Sequence, residues 1–281
     1  MCKKESVDAL DFFSKDASEL KSKKLWLLDM DGTIYFEETL IDGTLDFLDA
    51  IEKNGGRYVF ITNNSSKSLK DYVSKLKRLG IETDEDNFFT SGQLAAMMLN
   101  REYPGRKIYC QGTKSLVAGL RDEGVCVTEE VEDDIDVILV GFDTEVTGEK
   151  LRNTSKLLIT RDLPYYATNC DLRCPVDFGY IPDCGSMCQA LYNTTGKNPV
   201  YIGKPEPEII YKAMERYGYD RSETAVVGDR IYTDIPAGVR AGVTTICVLT
   251  GEAGLDDIER AKEKPDYVFG SVRDIFFEIK N

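Results

Sequence analysis

At 281 residues, 42% hydrophobic and 30% charged, the chain is long enough for about two domains and has the composition of a soluble globular protein. Its formal charge of −14 opposes phosphate backbones and anionic bilayers, so neither nucleic acid nor membrane is an expected partner. The sequence contains no histidine. That removes His-based triads, His-ligated zinc and His general bases, and leaves acid–base work to carboxylates, Lys, Cys or Tyr.

The first residues, Met1-Cys2-Lys3-Lys4-Glu5-Ser6, carry charge with no apolar stretch behind them, so no secretory signal is expected. No apolar run reaches the length of a spanning helix. The eight cysteines then read as reduced thiols of a cytoplasmic protein. Residues 7–22 predict a short exposed helix or a loose arm.

The organising stretch is Leu25-Trp26-Leu27-Leu28-Asp29-Met30-Asp31-Gly32-Thr33. Four large apolar residues ending in two carboxylates and a glycine predict a buried strand that runs into a turn. In open α/β sheets the ligand crevice lies beyond the carboxyl ends of the strands. Residues i and i+2 of an extended segment share a side, so Asp29 and Asp31 can address one ligand. Two close carboxylates need a cation between them, or one of them must hold a proton.

Ile34–Leu40 predicts a flap-like excursion, Leu45–Ile51 a helix closed by Asn54-Gly55-Gly56, and Arg57–Ile61 a second strand. That strand ends in Thr62-Asn63-Asn64-Ser65-Ser66 ahead of a helix over Leu69–Leu79. A hydroxyl and free backbone N–H groups there suit an oxyanion, although an ordinary N-cap cluster reads equally well from this stretch alone.

The middle of the chain predicts strands at Lys107–Cys110, Ile135–Val140 and Leu163–Thr168, with helices at Lys114–Asp122 and Glu149–Arg161 between them. This alternation indicates a second α/β unit. In the last third, Val200–Ile202 leads into Gly203-Lys204-Pro205, and Pro207–Tyr217 reads as a helix. Thr224–Gly228 is another apolar strand, ending at Asp229 with Asp234 beyond it; Val243–Leu249 and Tyr267–Phe269 complete the strands.

Four strand ends therefore offer Asp29 and Asp31, Thr62, Lys204, and Asp229 with Asp234. In a parallel sheet they would share one rim. Several carboxylates without His or clustered thiols suit Mg²⁺. The hydroxyl, N–H groups and lysine suit a phosphoryl group, whose transfer is catalysed largely by positioning and charge neutralisation, and an Asp can be the nucleophile.

These motifs resemble those of the haloacid dehalogenase superfamily phosphatases: Asp29-Met30-Asp31-Gly32-Thr33, Thr62-Asn63-Asn64, Gly203-Lys204-Pro205 and Gly228-Asp229-Arg230-Ile231-Tyr232-Thr233-Asp234. Thr90-Ser91-Gly92, Ala167-Thr168-Asn169, Thr195-Gly196 and Thr233-Asp234-Ile235 are similar to the NagD-like and 4-nitrophenylphosphatase branch (subfamily IIA). The resemblance runs from residue 23 nearly to the end. It implies a Rossmann-like parallel-sheet core at 23–90 and 199–281, a large inserted α/β cap of the C2 type at 91–198, and an N-terminal arm at 1–22.

It further implies a Mg²⁺-dependent phosphomonoester hydrolase that forms an aspartyl-phosphate on a small phosphorylated metabolite, with a homodimer through the cap as one assembly. Asp29 resembles the nucleophile, and Asp31 the general acid and then base. The metal set is Asp29, Asp31 through its backbone carbonyl, Asp229 and Asp234. Thr62, Asn63, Asn64 and Lys204 are the phosphate set, with Lys204 also balancing charge. The segment Asn169–Ser186 corresponds to the loop that touches the leaving group, with Asn169, Asp171 and Asp183 as its candidate contacts. Relatives commonly have proline where this chain has Cys170 and glycine near Asp183, so no relative's substrate transfers directly.

Positions 62 and 204 lie far enough apart for a full cap between the second and third motifs, and a cap favours small substrates. Cys170, Cys174, Cys184 and Cys188 have looser spacing than the usual zinc pairs and read as structural or incidental thiols. Two other classes stay open from the sequence: a non-catalytic phosphometabolite-binding protein and a phospho-acceptor regulatory protein. No G-x-G-x-x-G follows the first strand, which disfavours a dinucleotide dehydrogenase.

Overall fold

The computed structural model describes residues 10–280. The start at Met1–Ser6 and the first nine residues of the expected arm lie outside the described residues. In chain order the strands are β1 (Leu25–Leu28), β2 (Tyr35–Phe36), β3 (Thr39–Leu40), β4 (Arg57–Thr62), β5 (Phe88–Thr90), β6 (Ile108–Gln111), β7 (Val127–Thr128), β8 (Val137–Val140), β9 (Tyr165–Ala167), β10 (Arg173–Val176), β11 (Gly179–Pro182), β12 (Val200–Tyr201), β13 (Thr224–Gly228), β14 (Thr244–Val248) and β15 (Tyr267–Phe269). The helices are α1 (Thr44–Lys53), α2 (Leu69–Arg78), α3 (Ser91–Glu102), α4 (Lys114–Asp122), α5 (Gly148–Thr160), α6 (Cys184–Thr195), α7 (Glu208–Tyr217), α8 (Asp234–Ala241), α9 (Leu255–Arg260) and α10 (Val272–Ile279).

The chain divides into two units, Met1–Phe60 with Ile210–Asn281, and Ile61–Ile209. The first is built on strands in the order β15-β14-β13-β1-β4. Its pairs from β15 to β4 are parallel, with Leu28 opposite Val227 on one side and Phe60 on the other. β1 and β13 are buried at every residue, as strands covered on both faces must be. Trp26 meets Phe47 of α1 edge to face at 5.4 Å, and each such buried ring contributes roughly 1.5–3 kcal/mol through its removal from water.

The expected flap is the β2–β3 hairpin, turned by Glu37 at φ 53°. α1 closes at Asn54, followed by Gly55 at φ 70°, as the Asn-Gly-Gly run predicts. The arm is docked rather than loose. Ala17 and Leu20 are buried, Phe12 N donates to Val268 O at 2.7 Å, and Val268 N donates to Asp11 Oδ2 at 3.2 Å.

The second unit carries a parallel sheet of order β12-β9-β8-β6-β7. Its core gathers Tyr109, Ile138, Leu157, Leu158 and Leu191. Cys184 and Cys188 of α6 are buried in the same core, and Cys170 and Cys174 are half-buried; all four are free thiols. Asp143, fully buried, is paired with Lys150, whose Nζ lies 3.0 Å from Asp143 Oδ2 and also donates to Gly112 O at 2.7 Å. An antiparallel hairpin, β10–β11, was not among the expected elements; its Phe178 is 78% exposed. Among the described residues, no helix is long and apolar enough to cross a membrane.

Candidate active site

In the first unit, Asp29 follows β1 directly, Asp229 follows β13, and Asp234 opens α8. One carboxylate oxygen from each lies within 4.8 Å of the others, and all three residues are buried. The local sequence makes this approach feasible through small residues. Gly32 adopts φ +82°, a region glycine enters without penalty, and a Cβ there would lie 2.5 Å from Asp229 Oδ2. A Cβ on Gly251 would overlap the Asp229 carboxylate, and one on Gly228 would overlap that of Asp234.

Two neighbours orient these acids. Glu252 N donates to Asp229 Oδ2 at 2.7 Å, and Arg230 N donates to Asp234 Oδ2 at 3.1 Å. Asp229 Oδ1 is buried with no hydrogen-bond partner among the described residues. Burial, and then the charges of Asp29 and Asp234, push the Asp229 carboxyl up to about 8. A desolvated acid trio of this kind is stabilised by a cation, and three hard oxygen donors fit a divalent one. The residues present therefore match the implied metal.

Asp31 stands outside that trio. It is half-buried, and Tyr35 OH donates to its Oδ2 at 3.4 Å. Its carboxylate is not one of the three that converge.

In the second unit, the stretch after β4 is held by a dense set of hydrogen bonds. Asn64 N donates to Thr62 Oγ1 at 3.1 Å, and Ser66 N and Oγ both donate to Asn64 Oδ1. The Asn64 side chain therefore shapes the turn. The Asn63 side chain is committed as well: Lys204 N donates to its Oδ1 at 2.8 Å, and its Nδ2 donates to Lys204 O and to Asp171 Oδ2, both at 2.9 Å. Any ligand contact from Asn63 must come from its backbone. Lys204 is 2% exposed, and its Nζ donates to Ile61 O at 3.2 Å.

The ends of β9 and β12 explain how Asn169 and Lys204 come together. Ile202 N donates to Ala167 O and Gly203 N to Thr168 O, so the two loops continue side by side beyond their strands. Gly203 is needed there, since a Cβ would lie 2.7 Å from Thr168 O and overlap Asn63 Oδ1. Asn169 Nδ2 donates to Asn63 O at 2.8 Å. Of the substrate-loop candidates, Asn169 and Asp171 join this network, whereas Asp183 is the N-cap of α6 and accepts from Cys184 N at 2.5 Å. Ser91, part of the Thr90-Ser91-Gly92 motif but given no role from the sequence, also belongs: its Oγ donates to Asn63 O at 2.7 Å. The Thr90-x-x-Gln93 capping box that starts α3 was its available signal.

Residues 26–126 match the model of the haloacid dehalogenase-like hydrolases, and residues 201–275 match a second model of HAD-hydrolase-like proteins. The acid sugar phosphatase of Staphylococcus aureus (strain MRSA252) is 33% identical over 261 residues, 93% of this chain and 100% of the relative. The crystal structure of 4-nitrophenylphosphatase from Thermotoga maritima matches with a TM-score of 0.88 and 36% identity, covering 93% of this chain and 99% of that one. Glycerol phosphate phosphatase from Mycobacterium tuberculosis, in complex with magnesium, matches with a TM-score of 0.85 and 28% identity over 92% of this chain and 77% of that one.

Parallel α/β sheets with an acid trio at their strand ends define a haloacid dehalogenase-like hydrolase, and the chain belongs to that family. Within it, the relatives place the chain among the NagD-like phosphatases.

Proposed function

We propose that this protein is a Mg²⁺-dependent phosphomonoester hydrolase that acts on a phosphorylated small molecule in the cytoplasm, through an aspartyl-phosphate on Asp29. The observation that carries this reading is the buried trio of Asp29, Asp229 and Asp234. The names of the relatives, which refer to acid sugar, 4-nitrophenyl and glycerol phosphates, support a small phosphomonoester as substrate. We take residues 23–90 and 199–281 as core and 91–198 as cap, with β12 pairing to the cap strand β9 at that boundary.

The chemistry follows from the residues. A carboxylate oxygen of Asp29 attacks phosphorus as the bond to the leaving oxygen breaks, and Asp31 gives its proton to that oxygen. Asp31 then takes a proton from water, which attacks the aspartyl-phosphate, frees inorganic phosphate and restores Asp29. Thr62 Oγ1 accepts from Asn64 N, so its own O–H is left to donate to a phosphoryl oxygen, and the Asn63 N–H is the second donor. The Lys204 ammonium offsets the charge that gathers on the phosphoryl group. Asp29, Asp229, Asp234 and the Asp31 backbone carbonyl would hold Mg²⁺, which when bound would supply the remaining charge neutralisation.

The test is phosphate release from a panel of small phosphomonoesters, with and without Mg²⁺ and after chelation. Metal-dependent release supports the reading; a protein that binds phosphate esters in Mg²⁺ without releasing phosphate would instead be a binding protein.

A further inference from the structure

Asp171 is 1% exposed and spends its Oδ2 on the Asn63 amide rather than on solvent. We infer that Asp171 is a positioning residue, which acts through the Asn63 side chain to hold the Lys204 backbone and the Asn63 peptide in the geometry that phosphoryl transfer requires. This inference rests on the phosphatase reading above.

The Asn63 amide can serve only in one orientation. Its Oδ1 receives Lys204 N, and its two Nδ2 protons go to Lys204 O and Asp171 Oδ2. A flipped amide would set an NH₂ group against the Lys204 N–H and an oxygen against two acceptors. The carboxylate at Asp171 therefore selects the orientation that grips Lys204 on both faces of its backbone. Burial spares this bond competition from water.

The other end of the same residue is held by the same segment. Asn169 Nδ2 donates to Asn63 O, while Asn169 Oδ1 accepts from Asp171 N at 3.0 Å. Asp171 itself is anchored by α6, whose Gly185 N donates to Asp171 O at 2.8 Å. A Cβ on Gly185 would overlap Cys170 O, so glycine is what lets the helix start approach this closely. The stem of the β10–β11 hairpin thus clamps the loop that carries Thr62 and Asn63. A residue in that place affects the phosphoryl group itself, whatever the leaving group.

The experiment compares wild type with Asp171→Asn, which keeps an acceptor, and Asp171→Ala, which does not. Initial rates are measured with 4-nitrophenyl phosphate and glycerol phosphate in Mg²⁺, and inorganic phosphate binding by calorimetry. Loss of this buried hydrogen bond, which leaves the Asn63 amide unsatisfied, predicts a fall in kcat of about ten- to a hundredfold in Asp171→Ala. The factor should be the same for both substrates, with weaker phosphate binding, and Asp171→Asn should stay within about threefold of wild type because it restores the acceptor. Asn63→Ala combined with Asp171→Ala should be no worse than Asn63→Ala alone, since the two act as one unit.

A changed preference between the substrates with phosphate binding intact would make Asp171 a leaving-group contact and overturn the inference. Unchanged kcat per folded molecule, whatever the thermal midpoint, would reduce it to a structural residue. If Asp171→Ala does not fold, Asp171→Leu, which keeps the volume, takes its place. A wild type that binds phosphate but hydrolyses neither ester refutes the phosphatase reading alone, and phosphate binding by the variants then decides this one. A wild type that binds no phosphate overturns both.

Discussion

Gly32 and Asp229 are locked together: a Cβ on Gly32 would stand 2.5 Å from Asp229 Oδ2, and Gly32 itself sits at φ +82°. The glycine of the D-x-D-G-T run is thus a requirement of the acid trio as well as of the turn. Gly32→Ala meets two costs, about 1–2 kcal/mol for the left-handed backbone and the displacement of Asp229. The Mg²⁺ concentration needed for half-maximal activity should rise at least about tenfold, the equivalent of a further 1.4 kcal/mol. A variant that loses thermal stability but keeps its Mg²⁺ requirement would show that Asp229 tolerates the intrusion.

The Asp229 carboxyl, pushed up to about 8 by burial and its acidic neighbours, gives the metal-free protein a definite pH response. The unfolded chain loses this proton near its ordinary value of 3.8. Between those two pH values the native state holds a proton that the unfolded state has released. Stability of the metal-free protein should therefore be full below about pH 4 as far as this group is concerned, and fall as pH rises towards 8. Bound metal displaces that proton, so Mg²⁺ affinity should drop by about tenfold for each pH unit below 8. Thermal midpoints with and without Mg²⁺ at pH 6 and pH 8.5 check both signs. A larger Mg²⁺ effect at the lower pH would contradict the burial argument.

The two aspartates after β1 should fail differently. Asp29→Asn removes the nucleophile and should cost several orders of magnitude with every substrate. Asp31→Asn removes a proton donor, worth about 10²–10⁴-fold when the leaving group is an alkoxide. With 4-nitrophenolate the first step should suffer much less, and aspartyl-phosphate should accumulate because its hydrolysis lacks a base. Rapid-quench measurement of a 4-nitrophenol burst followed by slow turnover would display this. Substantial steady-state turnover by Asp29→Asn would rule out the covalent route.

Legibility from sequence tracked how periodic each segment is. α4 and β15 lie at the residues expected, because Leu116, Val117 and Leu120 mark a helical face and Tyr-Val-Phe a buried strand. The D-x-D-G turn and the Asn-Gly-Gly helix end were equally plain. The acid trio was readable because each member ends a strand or opens a helix just beyond one. α6 was missed: Cys184–Thr195 mixes glycine, serine and threonine with few strong helix formers, and its Asp183 N-cap and left-handed Gly196 were its only clear signals. The β10–β11 hairpin carries Pro175 and Pro182, which argue against a strand until the antiparallel register is seen. The commitment of the Asn63 side chain depends on contacts more than a hundred residues away, which no local pattern encodes.

Lys150 offers a test of the second unit's core. Asp143 is fully buried, and replacing Lys150 with methionine would leave its charge unmatched. Breaking a buried pair from one side costs about 3–5 kcal/mol, and the partial exposure of Lys150 points to the lower figure. Urea unfolding of Lys150→Met should show a loss of that size. A change below about 0.5 kcal/mol, the range of ordinary surface substitutions, would mean that the pair adds nothing to the stability of this core.

The docked arm bears on how the protein should be handled. β15 is the outermost strand of its sheet, and Asp11 and Phe12 occupy the outward-facing N–H and C=O of Val268. An open strand edge is a template for pairing with another chain. A version trimmed to begin at Lys23 would keep every residue assigned here to chemistry, yet bare that edge and uncover the surface beneath Ala17 and Leu20. It should self-associate as concentration rises, by lateral strand addition, and light scattering of trimmed against full-length protein at matched concentrations would reveal it. Residues 10–22 are thus best understood as a built-in guard against polymerisation, with solubility rather than catalysis as the property they protect.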